Sequence, residues 1–275
     1  MRFVGLDLAW GTRNPSGVAV LAADGTLDHV GAARDHRTVL DTVRPFTTGA
    51  CLVGIDAPLI VRNATGRRPA EAALNADFAR FDAGAHPANT SLPVFAAGLP
   101  GARIADALGL DVDPRSTAER RAIEVYPHPA TVALFRLGRT LKYKRRGRRT
   151  VEQRKSALLQ LMWLLEGLDT ADPSLYVDHP HWRALRRQVA TATGPVQLDR
   201  AEDPVDAVLC AYIAMFAHRR PGDVVVYGDG ATGYIVTPRL PADLTPAPRV
   251  RAVSPAAAPS WPDRRRRGWG CRADG

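Results

Sequence analysis

FVGLDLAW, residues 3–10, decides the fold. The run is almost wholly apolar and reads as a buried strand, yet it carries one carboxylate, Asp7, near its end. Outward from it, SGVAVLAA (16–23) and GTLDHVGAA (25–33) are two more short runs, rich in β-branched and small residues and separated by Gly, Asn, Pro and Asp. Together they predict a three-stranded antiparallel meander. RTVLDTVRPF (37–46) then sets Val39, Leu40, Val43 and Phe46 at helical spacing, and ACLVGIDAPL (50–59) returns as a strand buried on both faces. The order is β-β-β-α-β, so the first strand is expected beside the fourth.

Further along, a helix is expected over 69–82, followed by a glycine- and proline-rich segment at 84–101. AIEVYP (122–127) reads as a strand that leads into a helix, HPATVALFRLG (128–138), with Pro129 suited to its first turn. Helices are expected over 151–168, with Leu158, Leu161, Met162 and Leu165 as a core stripe, and around 180–192. EDPVDAVLCAYIAMFAHR (202–219) predicts a helix with Asp203 at the N-cap and Pro204 at its first position. DVVVYGDGATGYIVTP (223–238) contains G-x-G-x-x-G, but it joins strand to strand, so it reads as a hairpin turn and not as a dinucleotide site.

The chain has 275 residues and a formal charge of +9, which is unevenly placed. Residues 136–155, RLGRTLKYKRRGRRTVEQRK, hold ten Lys or Arg against Glu152, and residues 241–275 hold seven Arg against three Asp. The remainder is mildly acidic. This layout suits a body that grips a polyanion at one place, or a solvated loop that confers solubility. The domain is expected to occupy 1–240, with insertions at about 62–118 and 138–195, and the Pro/Ala/Arg-rich tail, 241–275, to be disordered. Arg264–Arg267 could touch nucleic acid. No apolar stretch is long enough for a membrane span, and the first strand begins too early for a signal peptide, so a cytoplasmic chain is expected. Cys51 and Cys210 read as small core residues, and the three cysteines show no zinc-binding spacing.

Asp7 is not the only acid at the end of a core element. Asp56 sits in VGIDAPL, Glu124 in AIEVYP and Asp206 in the helix of 202–219, where it could also serve as half of a capping arrangement. Adjacent first and fourth strands would bring Asp7 and Asp56 within a few ångströms. Carboxylates so close stay ionised in a dry site only around a shared cation. An all-oxygen set suits Mg²⁺ or Mn²⁺.

GLDLAW, GIDAPLIV, EVYPHPA, LKYK and DPVDAVLCAYIA, in this order, resemble the family of unknown function numbered 429, whose members are described as predicted nucleases of the ribonuclease H-like fold. The resemblance runs from residue 1 to about 240. It implies an α/β protein with a ribonuclease H-like mixed sheet, flanked by helices, in which acids from the first strand, the fourth strand and the last helix coordinate metal. Asp7, Asp56 and Asp206 match those places as metal ligands, and Glu124 matches the family's own EVYP as a further catalytic acid. The segment holding RNATGRRPAEAALN (62–75) gives Arg62, Arg68, Glu71 and Asn75 a place along the cleft.

On this resemblance the expected activity is phosphodiester hydrolysis of DNA or RNA with Mg²⁺ or Mn²⁺. Lys142 and Lys144 would neutralise substrate phosphates, and the arginines through Arg149 would extend the grip along a strand. Tyr126 and Tyr143 either stack on a base or are rim or core residues, and His128 is either a proton carrier or a helix cap. Two alternatives stay open. DLAWGT faintly resembles the phosphate-binding hairpin of actin-like ATPases and sugar kinases, which implies phosphotransfer; and a non-catalytic nucleic-acid binder would use the acids only structurally.

Overall fold

The computed structural model describes residues 1–9, 15–145 and 147–249. The expected meander is present as β1 (Arg2–Asp7), β2 (Ser16–Leu21) and β3 (Leu27–Ala33), followed by α1 (His36–Val43) and β4 (Cys51–Asp56). The turn between β1 and β2, which carries most of the hairpin weighed for phosphate binding, lies largely outside the described residues. Asp35 caps α1 by accepting from the Thr38 amide at 2.8 Å.

The middle of the chain gives α2 (Pro69–Phe78), α3 (Pro100–Ala107), β5 (Arg120–Glu124) and α4 (Pro127–Leu134). The helix α3 was not expected inside its glycine- and proline-rich surroundings; Pro100 opens it at the first turn, where a missing amide hydrogen costs nothing. For the same reason α4 starts on Pro127, two residues before the expected Pro129.

Then come α5 (Val151–Glu166), α6 (Pro180–Ala190), α7 (Pro195–Arg219), β6 (Val224–Asp229) and β7 (Gly233–Pro238). The last two form the expected hairpin around the glycine motif. The five-stranded sheet has the order β3-β2-β1-β4-β5, with β1 antiparallel to β2 and parallel to β4, and β4 parallel to β5. This is the ribonuclease H-like topology.

One expectation about α7 was wrong, with consequences for the site. The helix begins at Pro195, so Asp203 is not its N-cap and Pro204 lies inside it. The true start is closed by Gln197, whose Oε1 accepts from the amides of Thr193 at 2.8 Å and Gly194 at 3.0 Å. Packing keeps the helix continuous through the proline. Gly5, Gly17 and Gly54 leave a groove in the sheet into which α7 sinks: a Cβ on Gly17 would stand 1.9 Å from the Asp203 carbonyl oxygen, on Gly5 1.9 Å from that of Ala207, and on Gly54 2.5 Å from that of Cys210. The helix therefore runs diagonally over β2, β1 and β4. Its N-terminal half lies over the strand end that carries Asp7.

The tail boundary also moves. Residues 241–249, expected to be disordered, lie against the body: Ala247 donates its amide to Gly138 at 2.9 Å, and Arg249 pairs with Asp82 at 2.9 Å. The rest of the expected tail, including Arg264–Arg267 and Cys271, lies outside the described residues. Cys51 and Cys210 are free and buried, as read from the sequence. Among the described residues no helix is long and apolar enough to cross a membrane.

Candidate active site

Parallel pairing puts Asp7 and Asp56 in register as neighbours at the ends of β1 and β4. From above, α7 presents Asp199, Glu202, Asp203 and Asp206, the i, i+3, i+4, i+7 positions of one helical face. These side chains line a cleft of about 870 Å³, walled by Pro58, Val125, Tyr126 and His128.

One ammonium stands at the centre. Lys144 Nζ is 2.7 Å from Asp206 Oδ2, 3.0 Å from Asp7 Oδ2 and 3.1 Å from Asp203 Oδ1. Next to it, the buried Tyr143 hydroxyl donates to Asp206 Oδ1 at 2.7 Å. The loop that delivers these two residues is pinned through its carbonyls, because Arg154 Nε donates to Tyr143 O at 2.9 Å and Arg149 Nη1 to Lys144 O at 2.8 Å. Arg154, itself buried, also pairs with Asp199 at 2.6 Å and Glu202 at 3.1 Å.

So many acids in a dry cleft resist ionisation. Burial pushes the Asp7 carboxyl up against the pull of Lys144, and Asp206 adds to the rise. Asp56 is pushed well above the carboxylate range by burial and then by Asp7 beside it. Asp203 is raised to about 8 by burial and Asp7, and Glu202 to about 7, chiefly by burial. Burial alone would lower Lys144, but Asp206, Asp7 and Asp203 outweigh it and hold the ammonium charged.

Glu124 lies on the cleft wall in a separate network. Its carboxylate accepts from Arg68 Nη1 at 2.9 Å, from Arg68 Nη2 at 2.5 Å and from the Leu59 amide at 3.0 Å. Arg68 in turn donates through Nε to Glu71 at 2.9 Å, and the Ala88 amide closes the far side of Glu71. All three charged side chains are buried.

The expected phosphate contacts are redistributed accordingly. Arg68 is committed to two carboxylates, Lys142 stands 3.5 Å from Asp82, and Arg149 braces the Lys144 backbone. Arg62 is exposed and outside the cleft wall, and Asn75 holds the 84–85 backbone by accepting from the Ala85 amide at 2.6 Å. Much of the basic segment already has acidic partners: Arg139 pairs with Asp82 and Arg145 with Asp199 in the body, Arg136 with Asp243 beyond β7, and Lys155 with Glu152 inside the segment itself. Arg145, among the arginines expected to extend the grip, and Arg200, not singled out from the sequence, are exposed basic residues on the cleft wall. Tyr143 is a core residue and not a stacking platform, whereas Tyr126 lines the cleft. His128 lies in the first turn of α4, facing Thr140 Oγ1 across 3.3 Å through Nδ1.

A family model described as protein of unknown function, DUF429, matches residues 5–232. The chain belongs to this family. The match contains the five-stranded sheet apart from the first half of β1, every acid of the cleft and the hairpin as far as its turn. No curated protein and no solved structure matches the chain.

The donor set suits a hard cation in kind: it is all carboxylate oxygen, and the Asp56 carboxyl, beside Asp7, makes no ion pair among the described residues and feels the Lys144 charge only through space, too weakly to offset burial and Asp7. In arrangement it is closed on Lys144. Among the described residues no three Asp, Glu, His or Cys side chains stand grouped as ligands of one ion.

Proposed function

We propose that the cleft is a divalent-metal-dependent phosphodiesterase site acting on nucleic acid. The observation that carries the reading is the in-register pair Asp7 and Asp56 on parallel neighbouring strands, with Asp206 brought to Asp7 by α7. These three would hold Mg²⁺ or Mn²⁺. When bound, the metal would supply Lewis acidity, making water a better nucleophile and offsetting the charge that builds on the phosphate.

The chain's own residues supply the rest. Tyr143 fixes the orientation of Asp206, leaving one carboxylate oxygen for a cation. Arg145 and Arg200 on the outer wall would meet the phosphates of a strand entering the cleft, and Tyr126 adds an aromatic ring to its lining. Glu124 holds Arg68 and through it the segment joining β4 to α2, which makes it a positioning residue for the wall. The test is hydrolysis of a single-stranded oligonucleotide with Mn²⁺, together with a Mn²⁺-induced rise in melting temperature, both lost in Asp56→Asn.

The triple ion pair of Lys144 favours a second reading, in which the acids merely anchor the basic loop and the protein binds nucleic acid without cutting it. Under that reading Mn²⁺ leaves the melting curve unchanged, while oligonucleotide binding persists with a steep salt dependence.

A further inference from the structure

We propose that the Lys144 side chain is a tethered counter-cation that a divalent ion must displace, so that metal loading and release of this ammonium into the cleft are one event. The proposal rests on the phosphodiesterase reading. Carboxylates from β1 and from two turns of α7 converge on a single nitrogen within 3.1 Å. Two of them, Asp7 and Asp206, are also the residues that reading assigns to the metal. If those oxygens bound both cations, an ammonium and a divalent ion would stand within a few ångströms of each other where little water screens them. One has to leave.

The Lys144 backbone cannot carry the ammonium away. Its carbonyl is held by Arg149, the carbonyl before it by Arg154, and the Tyr143 ring is buried with its hydroxyl on Asp206. The movement falls to the flexible four-carbon side chain, which is already 24% exposed and lines the cleft. A displaced ammonium stays tethered in the cleft whose outer wall carries Arg145 and Arg200, where a phosphate can become its new partner. Divalent ion and polyanion would then bind cooperatively, each relieving a charge the other leaves unpaired.

Two measurements test this on the full chain, with Mn²⁺ alone as the probe. In the wild-type protein, acetylation by an amine reagent, followed by mass spectrometry, should be slow at Lys144 and rise about tenfold on adding Mn²⁺. Lys155, whose side chain is similarly exposed at 20%, serves as the unchanged reference. By calorimetry, Lys144→Met should bind Mn²⁺ about tenfold or more tightly than the wild type. Should this variant fail to fold, the labelling of the wild type still decides. Mn²⁺ binding with no change in Lys144 labelling would overturn the displacement while leaving the metal site standing. No Mn²⁺ binding by either protein would overturn the metal site as well, and the displacement with it.

Discussion

Asp7 and Asp56 are register partners on neighbouring parallel strands, and their carboxyls end two apolar runs that the sheet buries on both faces. Nothing in strand packing calls for an acid at either place; burial raises the Asp7 carboxyl, and burial together with Asp7 pushes Asp56 well above its ordinary value. Their closeness depends on the first strand lying between the second and the fourth, which is the feature that makes the sheet ribonuclease H-like. Fold and site are thus one consequence of the β1–β4 pairing.

The descent of α7 into the sheet is the first element to challenge. Gly5→Ala would force its Cβ against the Ala207 carbonyl and the Ala211 amide, both backbone atoms that cannot swing aside. A loss of about 3 kcal/mol or more is expected, as for severe overpacking, seen as a lower urea midpoint. Gly49→Ala, where the new Cβ meets nothing within 4 Å, is the control and should be close to neutral.

The buried Arg68 network separates structural from substrate-binding roles. Arg68→Met leaves Glu71 and Glu124 buried without their cation, and should cost about 3–5 kcal/mol. The loss should appear in the melting temperature with no oligonucleotide present. An Arg68→Met protein with wild-type stability and weakened nucleic-acid binding would return the residue to the phosphate-contact role expected from the sequence.

Apolar runs, turn residues and the order of elements made the sheet legible before any coordinates, because a strand buried on both faces leaves a continuous signature. Asp7 and Asp56 were legible for the same reason: an acid in such a run is conspicuous. Asp203 was not. The dipeptide Asp203-Pro204 carries the chemistry of a helix start, and only the glycine groove beneath it explains why the helix runs through the proline. The spacing of Asp199, Glu202, Asp203 and Asp206 did hold a signal, an acidic stripe on one helical face, but it shows only once the helix is known to begin at Pro195. The basic segment misled in another way. Sequence records its charge but not its partners, and the body supplies acids for Arg139, Lys142, Lys144 and Arg154.

The raised acids set a pH dependence with a definite sign. Glu202 holds its proton up to about 7 in the fold, and Asp203 up to about 8, whereas in the unfolded chain both release theirs near the ordinary carboxylate values. Between those limits the folded state binds more protons, so their contribution is greatest below about pH 4 and is lost as pH rises to about 8. Glu202 alone accounts for at most on the order of 3 kcal/mol of that slope. Urea midpoints at constant ionic strength should fall from pH 5 to pH 8, and Glu202→Gln should flatten the fall.

The outer cleft wall gives the last test, which weighs the basic residues against one another by what they already bind. Lys142 is held near Asp82, and the Asp82 carboxylate also takes Arg139 and Arg249, so Lys142 belongs to a cluster outside the cleft lining in which it already has an anionic partner. Arg200 is exposed on the wall of the cleft itself, on the same helix as Asp203 and Asp206. Arg200→Ala should weaken binding of a single-stranded oligonucleotide and reduce the slope of log K against log salt by about 0.7, the value for one phosphate contact on a single strand. Lys142→Ala should leave both nearly unchanged. Fluorescence anisotropy over a range of salt concentrations reads the two variants side by side, and a larger slope change in Lys142→Ala would move the polyanion track away from α7 and onto the Asp82 face.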